Sequence, residues 1–319
     1  MLSVLFLLIL GQSVFAAAPN SCLTTLESKI CATDLAPHQW PDPSIKCQEA
    51  DENTVLKLKS IAQDFSDPFQ KVLCGLDKVF IINEPGGTAF GGFTHDPSGH
   101  THSFLGINAA VLKNGLSLSS WATWKEQLSF GGSPEPTNPA FQNLPIINAT
   151  VPGVYNDFLF FVLSHEMGHI FDFANHLRSK DCGADQSIDC EMDKAGFGHL
   201  SWDTTTRIRP DSDFPERTGL CFYGCGGKFL DLSSVSSIYD HLFQSGFASL
   251  YASTNSADDF AESIAYYNLS QIPGAQYKIV TPQGKNYFPL VEYQSGVLLE
   301  KYQFIENLFK RSDLIFGGG

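Results

Sequence analysis

The sequence predicts an α+β fold, with a twisted mixed sheet packed on one long apolar helix and a mainly helical C-terminal lobe. Three observations predict it. Two strand-like runs, 78–83 and 103–111, stand in the first half of the chain. An apolar stretch, Phe158 to Leu163, leads into His165-Glu-Met-Gly-His169. Helical patterns then recur at 238–250, 257–269 and 302–309.

Taken in order, residues 1–18 read as a secretory signal. Leu2 to Leu10 is an almost unbroken apolar run, followed by Gly11, Gln12 and the small cluster Ala16-Ala17-Ala18, where cleavage fits the small-residue rule. As a membrane anchor the run is too short, and no later segment is long and apolar enough to cross a bilayer. The expectation is a secreted protein, extracellular or periplasmic.

Residues 19–75 form an N-terminal cysteine-containing helical segment, broken at Pro41 and Pro43, with an amphipathic stretch from Val55 to Phe65. This stretch is expected to be a disulfide-held cap or the remnant of a propeptide. Residues 76–319 form the main domain. Lys78 to Asn83 is a buried strand ended by Glu84-Pro-Gly-Gly, and Ser103 to Val111 is a second strand. Trp121 to Phe130 is helical, and 131–145 is a Pro-, Gly- and Asn-rich loop. Pro152-Gly153 precedes the helix that carries the His-Glu motif. About 181–230 is an irregular, disulfide-bonded insertion rich in Asp, Gly and Pro. The last three glycines are a frayed tail.

Eight cysteines fall into two groups, Cys22, Cys31, Cys47 and Cys74, then Cys182, Cys190, Cys221 and Cys225. Export with even, clustered cysteines points to disulfides within each group. No pair has the CxxC spacing of a zinc knuckle. A formal charge of -14 disfavours nucleic acid and anionic membranes as partners. Asn148 and Asn268 stand in N-x-[ST] sequons, which matter only in a eukaryotic secretory pathway.

The chemistry lies in the pentapeptide. Histidines at i and i+4 stand one turn apart on one helix face, so His165 and His169 can hold one zinc ion. Glu166, directly after the first, can reach a water on that metal and act as general base. A buried Glu166 with neither metal nor partner would be costly. His95, His100 and His102 lie in a turn-rich segment with irregular spacing, which fits surface residues or substrate contacts better than a second metal site.

A catalytic zinc takes three protein ligands. Extension to HxxGxxH fails, because Asp172 and Asn175 hold the glycine and histidine positions and His176 is one residue off. Asp189 and Asp193 have a suitable later spacing but flank Cys190 in a poorly helical stretch. The better candidate is Asp258-Asp-Phe-Ala-Glu262, where Asp258 and Glu262 stand one above the other on a helix. One carboxylate can bind zinc while the other accepts a hydrogen bond from a ligand imidazole. Tyr251, seven residues before Asp258, could hydrogen-bond an oxyanion or protonate a leaving amine.

Tyr251-Ala-Ser-Thr-Asn-Ser-Ala-Asp-Asp-Phe-Ala-Glu262 resembles the second zinc segment of the anthrax lethal factor type of metallopeptidase, and His165 to Asp172, as HExxHxxD, is similar to its first. The resemblance covers these two short stretches. It implies a zincin-like fold, with His165, His169 and Asp258 as zinc ligands, Glu166 as general base and Tyr251 as transition-state helper. It also implies Glu262 and Asp172 as carboxylates behind the ligands. The family position matching Asp258 is normally Glu, one methylene longer, so Asp259 and Glu262 stay open as alternative ligands. The gap from His169 to Asp258 is 89 residues, longer than the family pattern, and the cysteine-rich insertion accounts for it.

The function implied is a secreted zinc endopeptidase acting on a protein or peptide substrate, with no stable membrane anchor. By the family fold, Ser103 to Val111 is the candidate edge strand for an extended substrate. The alternatives are a non-catalytic binding protein on the same scaffold and a toxin-like protease of narrow specificity.

Overall fold

A computed structural model of the chain describes residues 21–34, 46–83, 87–96, 98–133, 143–178 and 189–316. The signal sequence, the glycine tail, most of the 131–145 loop and the first part of the insertion lie outside the described residues. The described chain mixes helices and sheets, as an α+β protein should.

The N-terminal part comprises α1 (Ser21–Lys29), β1 (Ile30–Thr33), α2 (Glu52–Asp64) and α3 (Asp67–Gly75). Asp51 caps α2 by accepting from the amide of Thr54. This segment does not stand apart as a cap. Leu26, Ile61, Phe65 and Leu73 belong to the main core, and the ring of Phe65 stacks at 4.8 Å on Phe160 of the motif helix.

Next come β2 (Lys78–Ile82), β3 (Ala89–His95) and β4 (Thr101–Asn108). They make a four-stranded mixed sheet in the order β1-β2-β4-β3. β1, β2 and β4 run parallel, and β3 pairs antiparallel with β4 at the edge. Both faces of the central strands are covered: Val79, Ile81, Leu105 and Ile107 join the main core, while Phe80, Ile82, Phe104 and Cys31 form a smaller cluster. A sheet buried on both faces explains why 79–82 reads as an unbroken apolar run.

The second strand ends earlier than its sequence implies. Asn108 caps α4 (Ala109–Lys113), its side chain accepting from the amide of Ala110, so Ala-Ala-Val starts a helix. Nor is this strand the edge: β4 lies between β2 and β3, and β3 takes the outer position. The two glycines of β3 hid it from a reading by β propensity.

α5 (Leu118–Gln127) packs on β5 (Ile146–Thr150), and Thr123 and Ser119 exchange hydrogen bonds with the backbone of Ile147 and Ala149. α6 (Phe158–Asn175) is the motif helix, capped by Asp157. Its first turns, Phe158 to Leu163, are apolar on all sides, and the helix is buried from Phe158 to Gly168. α7 (Val235–Gln244) is shorter than its sequence pattern: Gly246, at φ +79°, turns the chain away before Leu250. α8 (Ser256–Ser270) packs along α6, and Gly168 is the close contact: a Cβ there would lie 2.9 Å from Ala261 Cα. β6 (Gln276–Val280) and β7 (Asn286–Tyr287) complete a small antiparallel sheet with β5. α9 (Pro289–Ser295) and α10 (Leu299–Leu308) close the chain.

Disulfides join Cys31 to Cys47 and Cys221 to Cys225, one within each cysteine group. Cys74 and Cys190 are also oxidised. From 189 to 230 the insertion holds only short 3-10 turns and isolated bridges. Among the described residues no helix is long and apolar enough to cross a membrane.

Candidate metal centre

α6 carries His165 and His169 on the face turned to α8, and α8 returns Asp258 from its first turn. The two Nε2 atoms lie 3.1 Å apart, and Asp258 Oδ1 lies 3.5 Å from His165 and 3.4 Å from His169. Among the described residues these alone bring three metal-binding side chains together. A tetrahedral ion at about 2.0–2.1 Å from each donor needs donor–donor edges of about 3.3 Å. The triangle therefore has the size of a zinc site. Two imidazole lone pairs 3.1 Å apart also ask for a cation or a proton between them.

The shortness of Asp258 is met by the backbone. With only hydrogen on Gly168, α8 comes close enough for the shorter carboxylate to reach both histidines. Asn255 caps α8 by accepting from the amides of Ala257 and Asp258, and its Nδ2 donates to Asp258 Oδ2 at 2.6 Å. Thr254 Oγ1 lies 3.3 Å from the same oxygen but gives its proton to the carbonyl of Tyr251 at 2.7 Å. The outer oxygen is thus tied back, and Oδ1 is left facing the histidines. Burial would raise the Asp258 carboxyl, but the two imidazoles hold it well below the usual carboxylate range.

Glu262, one turn further, stands behind His165. Its Oε1 is 3.0 Å from Nδ1, out of line for a straight hydrogen bond, and Nδ1 has no other partner among the described residues. Ser249 Oγ donates to Glu262 Oε2 at 2.7 Å. Burial would lower the His165 pKa, yet Asp258, Glu262 and Glu166 outweigh it and push the imidazole up to about 9.

Asp259, the neighbouring alternative, is elsewhere. Lys301 Nζ donates to both its oxygens at 2.6 and 2.7 Å, and Trp202 Nε1 donates at 3.0 Å. Asp189 is engaged within the insertion by Thr205 and Thr206, and neither it nor Asp193 joins the histidines. His176 ends α6 as a left-handed cap at φ 50°. His95, His100 and His102 sit on the β3–β4 hairpin around Asp96.

Asp172 departs from its expected place behind a ligand. Its carboxylate is taken by Arg178, whose Nη1 donates to Ser256 Oγ at 3.1 Å. Ser256 opens α8 and also donates to the carbonyl of Thr205. Asp172 therefore fixes the start of α8, and through it Asp258, without touching a histidine ring.

A cleft opens in front of His165 and Glu166, walled by Thr88, Phe90, Trp121, Lys125, Tyr223 and Tyr251. The carboxylate of Glu166 has no hydrogen-bond partner among the described residues. A Cβ on Gly91 of β3 would lie 2.9 Å from the Glu166 carbonyl, so the edge strand runs directly against the motif. The ring of Tyr251 lies 5.8 Å from that of His165. Burial, then the negative charge of Asp258, drives its phenol well above the usual range, so it keeps its proton.

Several cleft residues escaped the sequence. Lys125, Trp121 and Thr88 belong to ordinary-looking segments with no motif. Tyr223 had one signal, its place inside the tight loop closed by Cys221 and Cys225. Comparison with family models, curated proteins and solved structures found no match for this chain.

Proposed function

We propose that this chain is a secreted zinc-dependent endopeptidase with a zincin-like fold, similar in its two metal segments to the anthrax lethal factor type. One observation carries the reading: the donor triangle of His165, His169 and Asp258 has tetrahedral-zinc dimensions and adjoins a cleft containing Glu166. Zinc there would supply Lewis acidity, acidifying a water and polarising an amide carbonyl.

The protein's own groups have defined tasks. Glu166 lines the cleft, without a hydrogen-bond partner among the described residues, and accepts the proton of the attacking water. As the C–N bond breaks, Glu166 returns that proton to the leaving amine. Tyr251, protonated, donates a hydrogen bond to the oxyanion that develops on the carbonyl. Glu262 stands behind the ring of His165, and Asn255 fixes Asp258. β3, the outer strand of the sheet among the described residues, is the edge on which an extended peptide would pair. Oxidised cysteines and the absence of a spanning helix among the described residues accord with an extracellular protein.

The test joins metal analysis with peptide-library cleavage. The purified protein should hold about one zinc per chain and cleave internal peptide bonds. Glu166→Gln should keep zinc and fold but lose cleavage. No zinc after chelator-free handling, or full activity in Glu166→Gln, would refute the reading. Zinc without turnover would favour a binding protein on the same scaffold, and cleavage of very few library members a narrow, toxin-like protease.

A further inference from the structure

Lys125 is, among the described residues, the only lysine or arginine that lines the cleft. It projects from α5 onto the face of Tyr251, with Nζ 3.5 Å from the ring centroid and 5.3 Å from the ring of Trp121. No hydrogen bond or ion pair holds this ammonium among the described residues. That is unusual for a partly buried lysine beside carboxylates, which ordinarily takes one as a partner. Of the nearby carboxylates, Asp258 is held by Asn255 and Glu262 by Ser249, while Glu166 lines the same cleft without forming an ion pair with Lys125. Burial pulls the Lys125 pKa down, but Tyr223, Glu262, Asp258 and Glu166 together push it up, so the group stays charged.

An ammonium on an aromatic face is attracted by the negative charge of the ring face. The contact fixes the plane of the ring. It also draws electron density from the ring, which makes the phenolic O–H a stronger donor. Phe222, at 4.9 Å, and Tyr223, at 6.4 Å, meet Tyr251 edge-on, so the ring is confined on its sides as well. We propose that Lys125 is a positioning residue for Tyr251, holding the phenol by its ring face beside His165 and strengthening its hydroxyl as a donor to the oxyanion. The proposal rests on the reading of Tyr251 as that donor.

A kinetic cycle on the zinc-loaded protein, with a peptide found by library cleavage, tests it. Lys125→Met should lower kcat about tenfold with KM little changed, and Lys125→Arg should restore most of the loss. Tyr251→Phe keeps the ring and removes the hydroxyl. In that background Lys125→Met should cost nothing further. Wild-type kcat in Lys125→Met would overturn the proposal, as would an equal loss in both backgrounds. An effect on KM alone, confined to acidic peptides, would also overturn it, making Lys125 a substrate contact. Full activity of Tyr251→Phe would sink the reading of Tyr251 itself, whereas a slowed but measurable Tyr251→Phe with additive Lys125 effects sinks only the positioning role. Thermal melts and zinc content check folding; should Lys125→Met not fold, Lys125→Gln takes its place in the cycle.

Discussion

Glu262 Oε1 stands 3.0 Å from His165 Nδ1, on the side of the ring opposite Asp258. One helix thus addresses both nitrogens of one imidazole. Such a carboxylate sets the tautomer and raises ligand basicity. Glu262→Gln should weaken zinc binding about 10–100-fold while the fold stays intact. Competition against a chelating dye measures it, and an unchanged affinity would remove Glu262 from the site.

Asp258 and Asp189 give a paired control. Asp258 Oδ1 faces both histidines, whereas Asp189 is held by threonines of the insertion. Asp258→Ala should lose stoichiometric zinc and Asp189→Ala should retain it. The reverse result would move the third ligand into the insertion.

The chelated protein should have a distinct pH profile. His165 is pushed up to about 9 in the folded chain, against 6.5 without its surroundings. A folded value above the unfolded one gives stability that is complete below about pH 6.5 and fades as pH rises through about 9. The melting temperature of metal-free protein should therefore fall across this window by more than that of metal-free His165→Gln. Zinc should abolish the difference, because the ion replaces the proton. Parallel profiles for the two metal-free proteins would count against the carboxylate-flanked imidazole.

Gly168 gives a test in which two effects oppose. In an open helix, Gly→Ala is worth up to about 1 kcal/mol of stabilisation. Here the new methyl would meet Ala261 Cα at 2.9 Å, backbone against side chain, and neither helix can turn aside. Gly168→Ala should destabilise by about 1–3 kcal/mol and weaken zinc binding, since α8 carries Asp258. A variant as stable as wild type, with unaltered zinc affinity, would show that the helices can separate freely.

The sequence disclosed the part of the site that follows helical spacing. His165, Glu166 and His169 share one turn-to-turn register, as do Asp258 and Glu262, and local periodicity suffices to align them. It left open which acid would meet the histidines, because that depends on the helix–helix approach at Gly168. Asp259 looked equivalent on paper, yet a buried lysine forty-two residues later claims it. Lys125 was silent for a similar reason: it reaches the cleft only by tertiary placement. In the sheet, the glycines of β3 concealed a strand, and the Asn108 cap was outweighed by the apolar run around it.

The Cys31–Cys47 disulfide has a further consequence. β1, which carries Cys31, is paired to β2, and Ala32 exchanges two backbone hydrogen bonds with Gln48. A backbone cut anywhere between the two cysteines would leave the first strand seated. Release of the N-terminal piece would demand reduction and unpairing together. A nicked molecule would therefore migrate as one band until thiol is added, and would look uncut to any assay that leaves the disulfide closed.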